Sequence, residues 1–310
     1  MIHAHSFDDL SLQNTWLTIG VFDGVHRGHE VILRRLVSDA HKSGGLAVVL
    51  TFTPHPAVVL GGKTDFKCLT TPGERLVLIK SLGVDVLISQ NFNREFAAQS
   101  AEEFMGKLKH TLGMKHLLIG YDTALGRGRE GNASRLKEIG KTLDFSVEIV
   151  PPLSDEKGVI SSTRIRKSIV DGNVAEAAKE LGHFYELTGT VVHGDGRGHR
   201  INVPTANIQV PEGKLIPANG IYACWAWVGN AGSQEKFAAA TNVGVRPTFT
   251  PDLPAPAVEA HLLDFNRDLY GQQVRLEFVE FLRAEEKYAS VDALLKQITE
   301  DVKLTRKILG

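Results

Sequence analysis

A parallel α/β domain followed by a small antiparallel β-barrel with a closing helix is the fold class this sequence predicts, on two textures and a length. Up to about residue 182, short β-branched runs alternate with helical stretches, the pattern of a parallel sheet covered by helices on both faces. Beyond about residue 183, strand-like segments are separated by glycine, proline and polar clusters, and one helical pattern remains at the end. At 310 residues, 43% hydrophobic and 23% charged, the chain can bury two ordinary cores, which predicts domains 1–182 and 183–310.

In the first part the apolar runs that read as strands are Trp16 to Phe22, Leu46 to Phe52, Val84 to Ile88, His116 to Ile119 and Phe145 to Val150. Between them Thr71-Pro72 offers a helix N-cap followed by proline at the first helical position. Ser100 with Glu103 forms a capping box ahead of Phe104, Leu108 and Leu112. The second part reads as strands at Gly189 to His193, Ala206 to Val210, Ile221 to Val228, Lys236 to Val243, Val258 to Leu263 and Gln273 to Phe281. A last helix starts at Ser290, with Val291, Leu294, Leu295, Ile298 and Val302 on one face.

Composition excludes several classes. The formal net charge of -1 gives no general attraction for nucleic acid or anionic membranes, so any bound anion must be held locally. No basic segment precedes an apolar run at the N-terminus, and no uncharged stretch approaches the ~20 residues of a membrane span. Cys68 and Cys224 stand in no metal or disulfide spacing, and a cytoplasmic protein with small-molecule substrates is the expectation; a homo-oligomer is compatible with it.

The segment Gly20-Val21-Phe22-Asp23-Gly24-Val25-His26-Arg27-Gly28-His29 follows a strand and opens a helix. Its glycines let backbone approach a phosphate while helix N–H groups face it. His26 and His29, three apart, share a face of the first turn and can donate hydrogen bonds to the phosphates of ATP during in-line displacement. A zinc site on His26, His29 and Asp23 lacks a further ligand at fitting spacing. Three more segments fall at strand ends: Thr51-Phe52-Thr53-Pro54-His55-Pro56, Gly120-Tyr121-Asp122 and Ile160-Ser161-Ser162-Thr163-Arg164-Ile165-Arg166. At the carboxyl edge of an open parallel sheet they would converge on one crevice, where Ser161, Ser162 and Thr163 begin a helix and Arg164 or Arg166 can clamp phosphates. Ser-Ser-Thr also reads as a plain helix cap, and Arg127 and Arg129 as solvated loop charges.

Together GVFDGVHRGH, TFTPHP and ISSTRIR resemble the adenylyltransferase module of bifunctional riboflavin kinase/FAD synthetases over most of residues 15 to 170. The resemblance implies a Rossmann-like nucleotidyltransferase fold. In it FMN phosphate attacks the α-phosphate of ATP with Mg2+ present, giving FAD and pyrophosphate, with Phe52, Pro54, His55 and Pro56 on the flavin side. The family usually has GxDFxFG after the fourth strand, whereas this chain has Thr123 and Leu125 in place of the phenylalanines, a change on the flavin side rather than at ATP.

In the second part Gly194-Asp195-Gly196-Arg197-Gly198 is a glycine-rich loop whose N–H groups can cradle phosphates, and Pro204-Thr205-Ala206-Asn207 heads a strand. The Thr205 hydroxyl and the Asn207 amide oxygen, two apart, can hold one Mg2+ with ATP oxygens, although the same residues also read as a turn and cap. Glu259 shares a strand face with His261, and a carboxylate directed into a barrel cavity suits the general base that deprotonates an attacking hydroxyl. The aromatics Tyr222, Trp225, Trp227 and Phe249 either stack on a flavin or fill the core, and core is the expectation for both tryptophans.

Taken in order, PTAN, Asn242-Val243-Gly244-Val245-Arg246-Pro247-Thr248-Phe249, Glu259-Ala260-His261 and Asp268-Leu269-Tyr270-Gly271 look like a riboflavin kinase module over about residues 185 to 305. The resemblance implies a six-stranded barrel that passes the γ-phosphate of ATP to the ribityl hydroxyl, with Thr205 and Asn207 at the metal and Glu259 as base. Asn202-Val203 replaces the usual Gly-Phe before PTAN. Two other readings use the same residues: a riboflavin kinase whose first domain is vestigial, and a flavin-sensing regulator. Retention of His26, His29, Thr205, Asn207 and Glu259 argues against the regulator, because sensing needs no phosphate chemistry.

Overall fold

The computed structural model describes residues 1–61, 65–194, 203–229, 233–246 and 255–310, with side chains left out at 245, 246, 255 and 256. The chain divides into two compact units, Met1–Ser162 and Thr163–Gly310.

In the first unit β1 (Ile2–Ala4), β2 (Thr15–Ile19), β3 (Leu46–Thr53), β4 (Val86–Asn91), β5 (Met114–Gly120) and β6 (Ser146–Val150) form a parallel sheet in the order β1-β4-β3-β2-β5-β6. The central strands are apolar on both sides because helices cover both faces. On one face α1 (Arg27–Lys42) buries Leu33, Leu36 and Ala40 with Val49, Leu87 and Ile79 of α3 (Pro72–Ser81). On the other, α5 (Ala101–Leu112) buries Phe104, Met105 and Leu108 with Leu17, Leu50 and Ile119, joined by Leu136 and Ile139 of α6 (Ala133–Leu143). The chain order reverses between β2 and β5, so the crevice at their carboxyl ends is the place for a ligand. Both expected N-caps are present, and each is a full capping box, Thr71 with Glu74 and Ser100 with Glu103. Strand β1 was not legible, since three residues with only Ala4 buried carry no period.

In the second unit α7 (Ser162–Val170) runs in from the boundary, and α8 (Val174–Leu181) packs on the barrel that follows. The barrel is closed, with strands β9 (Tyr185–Val192), β10 (Ala206–Gln209), β11 (Gly220–Val228), β12 (Glu235–Arg246), β13 (Ala255–Leu262) and β14 (Gln273–Arg283) in the order β10-β13-β12-β11-β14-β9. A two-stranded hairpin, β7 (Ser154–Asp155) with β8 (Gly158–Val159), belongs to the first unit. The barrel interior is a stack of buried rows, such as Leu262–Ala239–Cys224–Phe278–Tyr185 and Ala260–Thr241–Tyr222, read directly from the pairing.

One expectation needs correction here, and one needs refining. Trp225 and Trp227 share the opposite parity from buried Tyr222, Cys224 and Ala226, so they lie on the outer wall. There the Lys236 ammonium sits 3.8 Å from the Trp225 ring centre, and the Arg275 guanidinium 4.8 Å from that of Trp227. Cations cover the indoles in place of a core. The last helix, α9 (Val291–Leu309), starts at an N-capping Ser290 and packs on β11, β12 and β14 as expected, with Leu294, Leu295, Ile298 and Val302 half-buried; of that face only Val291 is exposed, and the fully buried positions are Asp301 and Thr305. The reason is ionic: Arg283 at the end of β14 forks onto Asp301 at 2.8 and 2.7 Å, a bidentate pair that raises the arginine pKa.

Candidate active sites

The phosphate-facing loop of the first unit is built on backbone that few sequences tolerate. Phe22 (φ 52°), Gly24 (φ 81°) and Val25 (φ 40°) all lie in the left-handed region, a costly conformation for a β-branched residue and one that surrounding contacts must enforce. Asp23 supplies many of them. Its buried carboxylate accepts from Leu69 N (3.0 Å), Thr70 N (3.0 Å) and Thr70 Oγ1 (3.2 Å), while Gly24 N donates to Thr70 Oγ1 and Ser162 Oγ donates to the Asp23 carbonyl at 2.9 Å. Asp23 shapes the loop, and Ser162 ties the start of α7 to it.

His26 is the N-cap of α1, and its Nδ1 accepts from His29 N at 3.3 Å. Neutral His26 therefore carries its proton on Nε2. The two imidazoles stack with centres 3.6 Å apart, and Phe22 meets the His29 ring edge-on at 5.2 Å. Burial pushes the His29 pKa well below the ordinary histidine value, and the neighbouring His26 adds to that. Its Nδ1 is buried without a hydrogen-bond partner among the described residues. Gly20 and Gly28 lie against the Phe22 and His26 rings, so side chains there would displace both.

Arg75 was not legible as a site residue. It is 4% exposed on α3, and its guanidinium donates to Val21 O (3.2 Å), Phe52 O (3.3 Å) and Thr53 Oγ1 (3.2 Å). Thus one buried cation ties the phosphate loop to the TFTPHP segment; burial lowers its pKa and nearby Asp23 opposes that. The signal was its i,i+4 spacing with buried Ile79, which put a charge on an apolar face. Phe52, 7% exposed, packs edge-on to Phe92 at 5.2 Å, and β3 gives way to a cis Thr53-Pro54 bond. Pro54 is exposed, Pro56 opens α2 (Pro56–Gly61), and His55 Nδ1 accepts from Ala57 N at 3.0 Å with its ring 4.4 Å from Phe66.

Asp122 and Tyr121 are exposed just past β5, and the Asp122 carbonyl accepts from Arg129 at 3.2 Å. Leu125 packs toward the sheet core and pairs with Gly131, while Thr123 N closes a turn onto Gly120 O. Ser161 is half-buried beside Ser162, and Thr163 is exposed. Arg164 Nε lies 2.8 Å from the buried Glu180 carboxylate of α8.

The second site is a register rather than a loop. Pairing sets Glu259 directly opposite Asn207 on one side and Asn242 on the other, so three polar side chains stand in a row across β10, β13 and β12. Val258 and Ala260 face inward and are buried, which puts the row on the outer wall; the expectation that Glu259 enters the barrel cavity is corrected by one residue of parity. Asn207 is 8% exposed, and any side chain at Gly194 would collide with its amide. Thr205 is half-buried just ahead of β10. His261, on the face of Glu259, donates from Nδ1 to the Pro204 carbonyl at 2.8 Å and so pins the start of PTAN. Tyr270 stacks on His193 with centres 3.9 Å apart. Gly196, Arg197, Gly198 and Phe249, also expected at this site, lie outside the described residues.

Comparisons with known proteins bear on both sites. The FAD synthetase family matches residues 8–164 and the riboflavin kinase family matches residues 181–309. A bifunctional riboflavin kinase/FMN adenylyltransferase of Listeria monocytogenes is 34% identical over 98% of this chain and 95% of its own. One of the same description from Escherichia coli K12 is 35% identical over 99% and 96%. A solved structure described as a macrolide-efflux protein from Streptococcus pneumoniae has a TM-score of 0.89 at 35% identity, with 98% of each chain covered. Among the described residues no helix is long and apolar enough to cross a membrane.

Proposed function

This chain belongs to the family of bifunctional riboflavin kinase/FMN adenylyltransferases, and from that premise we propose that it converts riboflavin to FMN in its second domain and FMN to FAD in its first. We assign the adenylyl transfer to residues 1–182 and the phosphoryl transfer to 183–310. The observation that carries the reading is the presence in one chain of two unlike arrangements suited to phosphate chemistry, the stacked His26–His29 pair at a helix N-terminus and the cross-strand pair of Asn207 and Glu259.

In the kinase step Glu259 takes the proton from the ribityl 5′-hydroxyl as its oxygen bonds to the γ-phosphorus of ATP; the bond to the β,γ-bridging oxygen breaks and ADP leaves. Thr205 and Asn207 hold the donor phosphates in register with that hydroxyl, and Gly194, Gly196, Arg197 and Gly198 belong to the same ATP-binding set. Mg2+ suits this row on donor chemistry. Thr205 and Asn207 offer hard neutral oxygens, the donors that suit an ion carried mainly by nucleotide phosphates. When bound, the ion offsets charge on those phosphates.

In the adenylyl step an FMN phosphate oxygen attacks the α-phosphorus of ATP and pyrophosphate leaves. The His26 Nε2–H and the His29 ring direct hydrogen bonds at the developing charge, assisted by the N-terminus of α1 and by Gly20, Phe22, Gly24 and Gly28 in the loop. Ser161, Ser162, Thr163, Arg164 and Asp122 complete the ATP side, and Phe52, Pro54, His55 and Pro56 the flavin side. Low net charge leaves no role for nucleic acid, and two cysteines outside any disulfide fit a cytoplasmic setting.

A chromatographic time course with riboflavin, ATP and Mg2+, repeated from FMN, tests the reading. FMN should rise and then give way to FAD. A course that stops at FMN removes the adenylyl step and makes the Thr123 and Leu125 loop the cause.

A further inference from the structure

We propose that Asn242 is a specificity-determining residue of the kinase site, its side-chain amide hydrogen-bonding the hydroxyls of the acceptor's ribityl chain; this rests on the riboflavin kinase reading above. Asn242 pairs directly across from Glu259, on the side away from Asn207. In an in-line transfer the nucleophile and the leaving group lie on opposite sides of the migrating phosphoryl group. With the donor nucleotide held at Thr205 and Asn207 and the base between, the acceptor belongs on the Asn242 side.

The state of the amide agrees. Asn242 Oδ1 is buried and has no hydrogen-bond partner among the described residues. A buried acceptor without a partner is rare in a folded protein and marks a position that something else satisfies. A polyol suits it, because a hydroxyl both donates and accepts, as an amide does. An aspartate would offer acceptors alone and place a second negative charge beside Glu259. Beyond it on the same face of β12 stands Gly244, where a Cβ would collide with the Glu285 carboxylate. Across β11 the partner of Asn242 is Ile221, so the amide is the polar group of its row on that side of Glu259.

The test is steady-state kinase kinetics on the full chain carrying Asn242→Ala or Asn242→Ser, with lumiflavin, which has the ring system and no ribityl chain, as competitive inhibitor. Asn242→Ala should raise the KM for riboflavin about tenfold, Asn242→Ser less, with kcat and the KM for ATP within about twofold and the inhibition constant of lumiflavin unchanged. An unchanged riboflavin KM with a lower kcat would mean that Asn242 orients Glu259, and would overturn the proposal. So would a lumiflavin constant that weakens in step with the riboflavin KM, or a raised KM for ATP. The thermal transition of the full chain, followed by tryptophan fluorescence of Trp225 and Trp227 in the barrel, reports whether the second unit is intact, and if Asn242→Ala fails to fold, the serine variant decides by the same readings. Failure of the kinase reading itself would look different, with no phosphorylation of riboflavin by the unmodified chain.

Discussion

The two sites of this chain are held in shape by opposite means. The His26–His29 site depends on one short loop whose left-handed residues are enforced from outside, by Asp23 against residues 69 and 70 and by Arg75 across to Phe52 and Thr53. The Glu259 site takes its geometry from the ladder of a closed barrel, which sets Asn207, Glu259 and Asn242 side by side with no special backbone. Residues that never touch substrate should therefore matter greatly in the first unit and little in the second.

The largest effects are expected at the groups proposed to meet substrate. Glu259→Gln should lower riboflavin phosphorylation by about 10²–10⁴-fold, the range of a lost general base, with FAD formation from supplied FMN unchanged. His29→Ala should lower FMN adenylylation by about 10²–10³-fold and spare the kinase. The next variant separates loop from ladder: Arg75→Gln should cost adenylylation about 10–100-fold, lower the thermal transition of the first unit and leave riboflavin phosphorylation untouched. A kinase rate that fell equally would erase the contrast.

Smaller still is a pH effect. Burial holds the folded pKa of His29 below the unfolded value, so the unfolded chain binds the extra proton first. Stability of the first unit should therefore be full above the ordinary histidine pKa and decline as pH falls through and below it. His29→Asn should flatten that decline in denaturant titrations at successive pH values. Smallest is the thiol test. Burial pushes Cys224 up to about 12 inside the barrel, whereas Cys68 is half-buried, so a colorimetric thiol reagent at pH 8 should label one cysteine in the folded chain and two after unfolding.

The same contrast explains what was legible in advance. The first site is one contiguous string after a strand, so its residues could be read in order, as could both helix caps and every barrel strand. What escaped depends on distant partners. Arg75 reaches a carbonyl 54 residues away, and at the start of a helix it reads as an ordinary surface charge. Asn242 gains its meaning from register with Glu259, which no local pattern encodes. Parity misplaced Trp225, Trp227 and the direction of Glu259 for a related reason: alternation says that successive residues take opposite faces, not which face is inside, and cations can cover an indole as a core does. Asp301 was invisible because its burial depends on Arg283.

The central claim is that two complete sites act independently, with FMN passing between them through solution. The most direct measurement mixes chains carrying Glu259→Gln with chains carrying His29→Ala and follows flavins from riboflavin, ATP and Mg2+ by chromatography. FAD should appear after a lag in which free FMN accumulates, although neither variant alone makes it. Absence of FAD from the mixture, while each variant keeps its one remaining activity, would contradict the account.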